Sequence, residues 1–284
     1  FTAQPPSATI APGAALQQYN GGKPCGTVTC NWCDFDTGLR GRQGNFETEA
    51  FNAGERTKPI TNQPTSSFTL YRCRIQGFGN GISLDGWQCG PSDITECYIG
   101  DCTSGGGTHM DGIEIYSSDN ITVQRCRLVG QLRGQSPINI TNDWGQTANS
   151  NPIVIRNNLI LPQGDNAPIL VAINTNESNY KRNVSVIDNY FGDHTWFGFE
   201  VQLAGNEKPM RGLNVTFDQN YFNANQANEP GLVYWSRGNV WTPDGEGVRN
   251  PTGHNPGNFV SQANFTNGPL RRWTGRVVGE TNAH

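Results

Sequence analysis

One short frame recurs along this 284-residue chain and restricts its fold more than any other feature. The frame is apolar, x, x, Cys or Asn, x, apolar. LYRCRI (70–75), ITECYI (94–99), VQRCRL (123–128), IRNNLI (155–160), VIDNYF (186–191) and FDQNYF (217–222) fit it, with CNWCDF (30–35) and VSQANF (260–265) as weaker members at the two ends. The central residues Cys73, Cys97, Cys126, Asn158, Asn189 and Asn220 stand 24, 29, 32, 31 and 31 residues apart. Self-similarity on that scale belongs to a solenoid, a propeller or an array. A propeller blade takes about four strands, and these repeats are too short for that.

The frame also carries geometry. Upstream apolar pairs such as Ile121/Val123, Ile153/Ile155, Val184/Val186 and Val215/Phe217 are two apart and share one face of a strand. From the second of each pair to the next apolar residue is an odd step, which would turn that side chain outward. The chain must therefore bend between them, leaving one short side chain facing inward with the backbone. Asn suits the place because its amide donates and accepts, so stacked copies can bond one another and the backbone. Cys fills the same space as a small, nearly apolar group. Cys73, Cys97 and Cys126 thus read as rungs of a ladder that continues as Asn158, Asn189 and Asn220. A second strand follows in each repeat, as in GISLDG, GIEIYS, PINITN, LVAINT and FEVQLA. The expectation is an all-β right-handed parallel β-helix, a solenoid with irregular ends. Residues 1–66 would form an N-terminal cap and irregular first coil, 67–235 the coils, and 236–284 the last coil and C-terminal cap.

Composition narrows the function. A formal charge of −4 and a pI near 5.6 argue against a nucleic-acid partner. No apolar run is long enough to insert in a membrane. Eight cysteines in a chain this long suggest an oxidising compartment. Cys89–Cys102, or a pair within 25–33, is the expected disulfide there. Asn-x-Ser/Thr sequons begin at Asn120, Asn139, Asn176, Asn183, Asn214 and Asn264. No nucleotide-binding, zinc-protease or EF-hand motif is present, and no metal site is expected.

The chemistry concentrates near HMDGIEIY (109–116). Aligned repeats place Ser83, Glu114, Asn139 and Glu200 in one outward column, and Asp85 and Tyr116 in the next. Carboxylates and amides bond sugar hydroxyls, and loop-borne Trp144 and Trp196 would cover sugar faces. Trp235 and Trp241 are expected on loops or a groove as well. Inverting glycoside hydrolysis needs two carboxyl groups about 6.5–9.5 Å apart, and retaining hydrolysis about 5–5.5 Å. Strand spacing puts Glu114 and Asp85 roughly 8 Å apart, with Asp111 and Glu114 a second pair. A lyase would take its base from His109, Tyr116 or Lys181, with Arg133 neutralising a uronate. The expected catalytic set is Asp111, Glu114, His109 and Asp85. The expected substrate contacts are Tyr116, Asn139, Trp144, Trp196, Glu200 and Arg133. No cofactor is expected, apart from calcium with lyase chemistry.

HMDGIEIYSSDNITVQRCRL, INITNDWGQTANSNPIVIRNNLI and YWSRGNVWTPDGEGV resemble segments of right-handed β-helix proteins from actinobacterial secretomes and actinophage tails. The fold this implies is shared more distantly with pectate lyases, polygalacturonases and tailspikes. Of the polygalacturonase pattern only Asp111 is matched, because the paired Asp-Asp and the Gly-His-Gly are missing. The resemblance implies an extracellular or virion-surface protein that meets a polysaccharide or cell-surface glycan. The leading expectation is an enzyme that binds and cleaves the glycan as a hydrolase or lyase, and the alternative is a non-catalytic phage tail or surface module that recognises a host glycan. A phage-spike role implies a homotrimer, whereas the polar outer columns favour a monomer.

Overall fold

A computed structural model describes residues 13–18, 27–36, 48–53, 67–84, 91–100, 111–115, 120–129, 136–140, 152–161, 169–175, 182–191, 197–203, 213–222, 233–237, 240–242, 257–262 and 265–266. All regular structure among them is β-strand, arranged in three sheets. The first sheet contains β2 (Thr27–Asn31), β5 (Ser67–Tyr71), β8 (Ser92–Thr95), β11 (Ile121–Gln124), β14 (Pro152–Arg156), β17 (Arg182–Ile187), β20 (Leu213–Asp218) and β24 (Gly257–Gln262). The second contains β3 (Asp34–Asp36), β6 (Arg74–Gln76), β9 (Tyr98–Gly100), β12 (Arg127–Val129), β15 (Leu159–Leu161), β18 (Tyr190–Phe191), β21 (Tyr221–Phe222) and β25 (Phe265–Thr266). The third contains β1 (Gly13–Gln18), β4 (Thr48–Ala53), β7 (Asn80–Leu84), β10 (Ile113–Ile115), β13 (Ile138–Ile140), β16 (Ile169–Thr175), β19 (Phe197–Leu203), β22 (Val233–Arg237) and β23 (Val240–Thr242).

Each sheet takes every third strand, so the chain visits the three in rotation. Every pairing is parallel except β22 with β23. Those two strands hold Trp235 and Trp241, so of the two placements expected from the sequence, a loop or a groove, the loop does not hold for either. The pairing also reaches upstream of residue 67, where β2, β3 and β4 lie in register with β5, β6 and β7.

Burial follows the alternation. Ile121, Val123, Ile153, Ile155, Val184 and Val186 are buried, while Thr122, Val154 and Ser185 between them are half-buried. Phe68 and Leu70 of the first sheet, Ile75 of the second, and Ile82 and Leu84 of the third share one buried cluster. Each such side chain contributes about 1.5–3 kcal/mol on leaving water, which makes the common core the main attraction between the sheets.

Among the described residues the bend between first and second sheets is the same in seven successive units. The third residue of the frame has a left-handed backbone: Trp32, Arg72, Glu96, Arg125, Asn157, Asp188 and Gln219 all have φ between 51° and 59°. None is glycine, and that conformation costs an L-residue roughly 1–2 kcal/mol. Stacking offsets the cost, because the bend N–H groups bond the next unit. Arg72 donates to the Thr95 carbonyl at 3.0 Å, and Glu96 to the Gln124 carbonyl at 3.1 Å.

Beside the bend runs the expected ladder. The backbone N–H of each rung donates to the next rung's side chain: Cys73 to Cys97 Sγ and Cys97 to Cys126 Sγ at 3.4 Å, Cys126 to Asn158 Oδ1 at 2.9 Å, and Asn158 to Asn189 Oδ1 at 3.0 Å. Each rung also donates backward, to the carbonyl three residues before the preceding rung. Asn158 Nδ2 bonds the Val123 carbonyl at 3.0 Å, Asn189 Nδ2 the Ile155 carbonyl at 2.9 Å, and the Cys126 thiol the Ile94 carbonyl at 3.4 Å. The thiol thus does with one S–H what the asparagine does with its amide. The last frame needs a one-residue correction. Ser261, and not Val260, lies opposite Phe217, because the register of β20 with β24 sets the frame one position later than its apolar residues suggested.

Candidate functional site

The polar cluster is built where each unit enters the third sheet. Three segments stack there: Asn80-Gly81-Ile82, Asp111-Gly112-Ile113 and Ser136-Pro137-Ile138. Their backbones approach closely. A Cβ on Gly81 would lie 2.6 Å from the Gly112 carbonyl oxygen, and one on Gly112 would lie 2.6 Å from that of Pro137. Glycine is required at both places by the neighbouring backbone.

The polar residue before each glycine forms a second ladder. Asn80 Oδ1 accepts from the Asp111 N–H at 2.7 Å, and Asp111 Oδ1 accepts from the Ser136 N–H at 3.0 Å. Asp111 Oδ2 accepts from the Asn139 amide at 2.9 Å. Glu114 joins through Asn80, whose Nδ2 donates to Glu114 Oε2 at 2.8 Å. Asp111, Glu114 and Asn139 are therefore brought together with Asn80, across three adjacent strands.

The column itself lies in the expected register. Ser83, Glu114 and Asn139 are direct neighbours, and the register continues through Ala172 to Glu200 and Tyr234. Glu114 and Glu200 are three strands apart, roughly 14 Å at sheet spacing. Ser83, Glu114 and Asn139 alternate with core residues, yet they are not a solvated surface. Asp111 is 1% exposed, Glu114 2%, Asn139 4% and Ser83 0%. The Asn139 sequon is closed off by the same burial. Asp85, His109, Tyr116, Arg133, Trp144, Lys181 and Trp196 lie outside the described residues, as does the side chain of Glu200. Sequence reasoning missed Asn80 and Ser136. The signal for Asn80 was present, since Asn-Gly-Ile precedes Asp-Gly-Ile by 31 residues.

A second polar cluster sits on the bend. Glu96 bonds the Arg72 guanidinium at 2.7 Å and that of Arg125 at 3.1 Å. Arg72 lies 4.8 Å from the Trp32 ring centroid and 4.9 Å from that of Tyr71. Burial pushes the Glu96 carboxyl up, but its bonds to Arg72 and Arg125 outweigh this and hold it below the ordinary carboxylate value. Trp32 is 59% exposed.

Cys30, Cys33, Cys73, Cys97 and Cys126 are free thiols, while Cys25, Cys89 and Cys102 lie outside the described residues. Burial pushes the Cys97 thiol well above its ordinary value, and the hydrogen bond with Cys97, followed by burial, does the same to Cys73. Among the described residues no three His, Cys, Asp or Glu side chains are placed to hold a metal ion. Among them, too, no helix is long and apolar enough to cross a membrane. Comparisons with protein-family models, curated proteins and solved structures returned no match.

Proposed function

We propose that the chain is a right-handed parallel β-helix that binds a polysaccharide along its third sheet and acts as an extracellular or virion-surface recognition module. Three observations support the architecture: rotation through three parallel sheets, one core common to all three, and two side-chain ladders running between units. Glu114 and Asn139 of the row are closed to solvent, so the sugar contacts fall to the residues beside and beyond them. Glycan contacts would come from Glu200 with Asp85, Tyr116, Arg133, Trp144 and Trp196.

One observation favours recognition over cleavage. Both oxygens of Asp111 accept from neutral donors of the neighbouring unit, in a position closed to solvent. That is the work of a staple between strands. The second reading keeps Asp111 and Glu114 as an acid/base pair assisted by His109 and Asp85, in a hydrolase or a lyase. The linkage of both carboxyl-bearing residues through Asn80 favours it.

A panel of neutral and acidic glycans separates the two. The expected result is retention of a glycan with no new reducing ends and no absorbance from an unsaturated uronate. Trp144→Ala and Trp196→Ala are expected to weaken retention about tenfold, or 1.4 kcal/mol each. Products that vanish in Glu114→Gln would establish cleavage instead. Retention of no member of the panel would end the glycan reading altogether.

A further inference from the structure

The first unit departs from the repeat in two ways, and both departures meet at one pair of sulfurs. In the six units that follow, the residue three before the rung is Leu70, Ile94, Val123, Ile155, Val186 or Phe217; in the first unit it is Cys30. Each later thiol rung also gives its S–H to the carbonyl at that position of the preceding unit: Cys73 to Cys30 at 3.3 Å, Cys97 to Leu70 at 3.4 Å and Cys126 to Ile94 at 3.4 Å. For the Cys33 thiol, the backbone carbonyl it donates to among the described residues is that of Asn31, in its own unit, at 3.6 Å. The later thiols make that own-unit contact as well, Cys73 to Tyr71 at 3.6 Å, Cys97 to Thr95 at 3.4 Å and Cys126 to Gln124 at 3.3 Å, so among the described residues Cys33 differs in lacking the second carbonyl. Cys30 lies near the end of β2 and Cys33 just past the Trp32 bend, three residues on, and both pack against the common core. Both are half-buried, whereas Cys73, Cys97 and Cys126 are fully buried.

We propose that Cys30 and Cys33 are a thiol–disulfide exchange site, closed to an internal disulfide by a small-molecule disulfide and reopened by a thiol. The Cys33 thiolate, the less buried of the two, attacks one sulfur of the reagent. A mixed disulfide forms and the first reagent thiolate leaves. The Cys30 thiolate then attacks the Cys33 sulfur, the internal S–S bond forms and the second reagent thiolate leaves. The two protons lost by the cysteines end on the two reagent thiols, and the reagent is reduced by two electrons. Closure leaves the Cys73 bond to the Cys30 backbone oxygen in place. The site stands whatever ligand the third sheet takes.

The test uses the full chain carrying Cys25→Ser, Cys89→Ser and Cys102→Ser, with oxidised glutathione in mildly alkaline buffer. Intact mass and peptide mapping are expected to show the loss of two hydrogens and a Cys30–Cys33 link, reversed by dithiothreitol. Cys73, Cys97 and Cys126 are expected to stay unmodified. Cys30→Val restores the apolar residue found in other units, and this variant should stop at a glutathione adduct on Cys33. A lasting adduct on Cys33 with Cys30 present would overturn the proposal. So would a Cys33 link to another cysteine, modification of the buried rungs, or no reaction at either residue.

Discussion

A rung residue is held by its neighbours on both sides, and that makes single side chains decisive. Asn189 accepts from the Asn158 backbone N–H and amide through Oδ1 and gives its own amide to the carbonyls of Ile155 and Ile187. Asn189→Ala leaves several of these groups buried without that partner, at about 1–3 kcal/mol for a group left unsatisfied. A loss of about 3 kcal/mol is expected in urea unfolding. Cys97→Ser keeps a donor for Leu70 and an acceptor for Cys73, and a distinctly smaller loss is expected. The thiols add a pH dependence. Burial, followed by the nearby Cys33 and Cys73, raises Cys30 from an ordinary 9.0 to about 11, and burial also raises Cys97 well above the ordinary value. A raised thiol value favours the fold while the unfolded chain keeps its protons. The contribution is therefore complete below 9.0 and is lost as pH rises through the folded values, near 11 for Cys30. The urea midpoint should fall above pH 9.0, and less steeply in the variant carrying Cys73→Asn and Cys97→Asn.

At the scale of the element, the bend and the entry to the third sheet were legible to different degrees. The bend itself followed from an odd step between apolar residues. Its left-handed residue did not, because Trp32, Arg72, Glu96, Arg125, Asn157, Asp188 and Gln219 share no chemistry that favours that conformation. The stacking of whole units imposes it. The entry segments show the converse case, where a local signal hid a tertiary cause. Asp-Gly before a strand reads as an ordinary turn, but Gly112 is needed because the Pro137 carbonyl would stand 2.6 Å from a Cβ. Gly112→Ala is expected to cost about 1–3 kcal/mol, since a backbone oxygen cannot move aside as a flexible side chain can. Thermal unfolding measures it, and an unchanged midpoint would mean the strands can separate without penalty.

Across the whole molecule, each unit pairs only with those before and after it, so stability is expected to be a sum of unit and interface contributions. Excision of residues 127–158 joins Cys126 to Leu159, which takes the place that Arg127 holds in the second sheet. The shortened chain is expected to fold with an unchanged β-sheet circular dichroism per residue and a smaller urea m-value. Loss of the sheet signal would show that the units do not stack independently.

The amino-acid order alone determined the repeat, the inward face of each strand and the rung positions, because these depend on side-chain size and polarity at short, regular spacing. Only the tertiary structure decided which polar groups are closed off. Glu114 lies in an outward register and Asp111 just before the strand, yet both are buried, and their partners Asn80, Ser136 and Asn139 are supplied by units 25 to 34 residues away. Alternation along one strand specifies a direction for each side chain, whereas burial depends on what neighbouring units bring to that side.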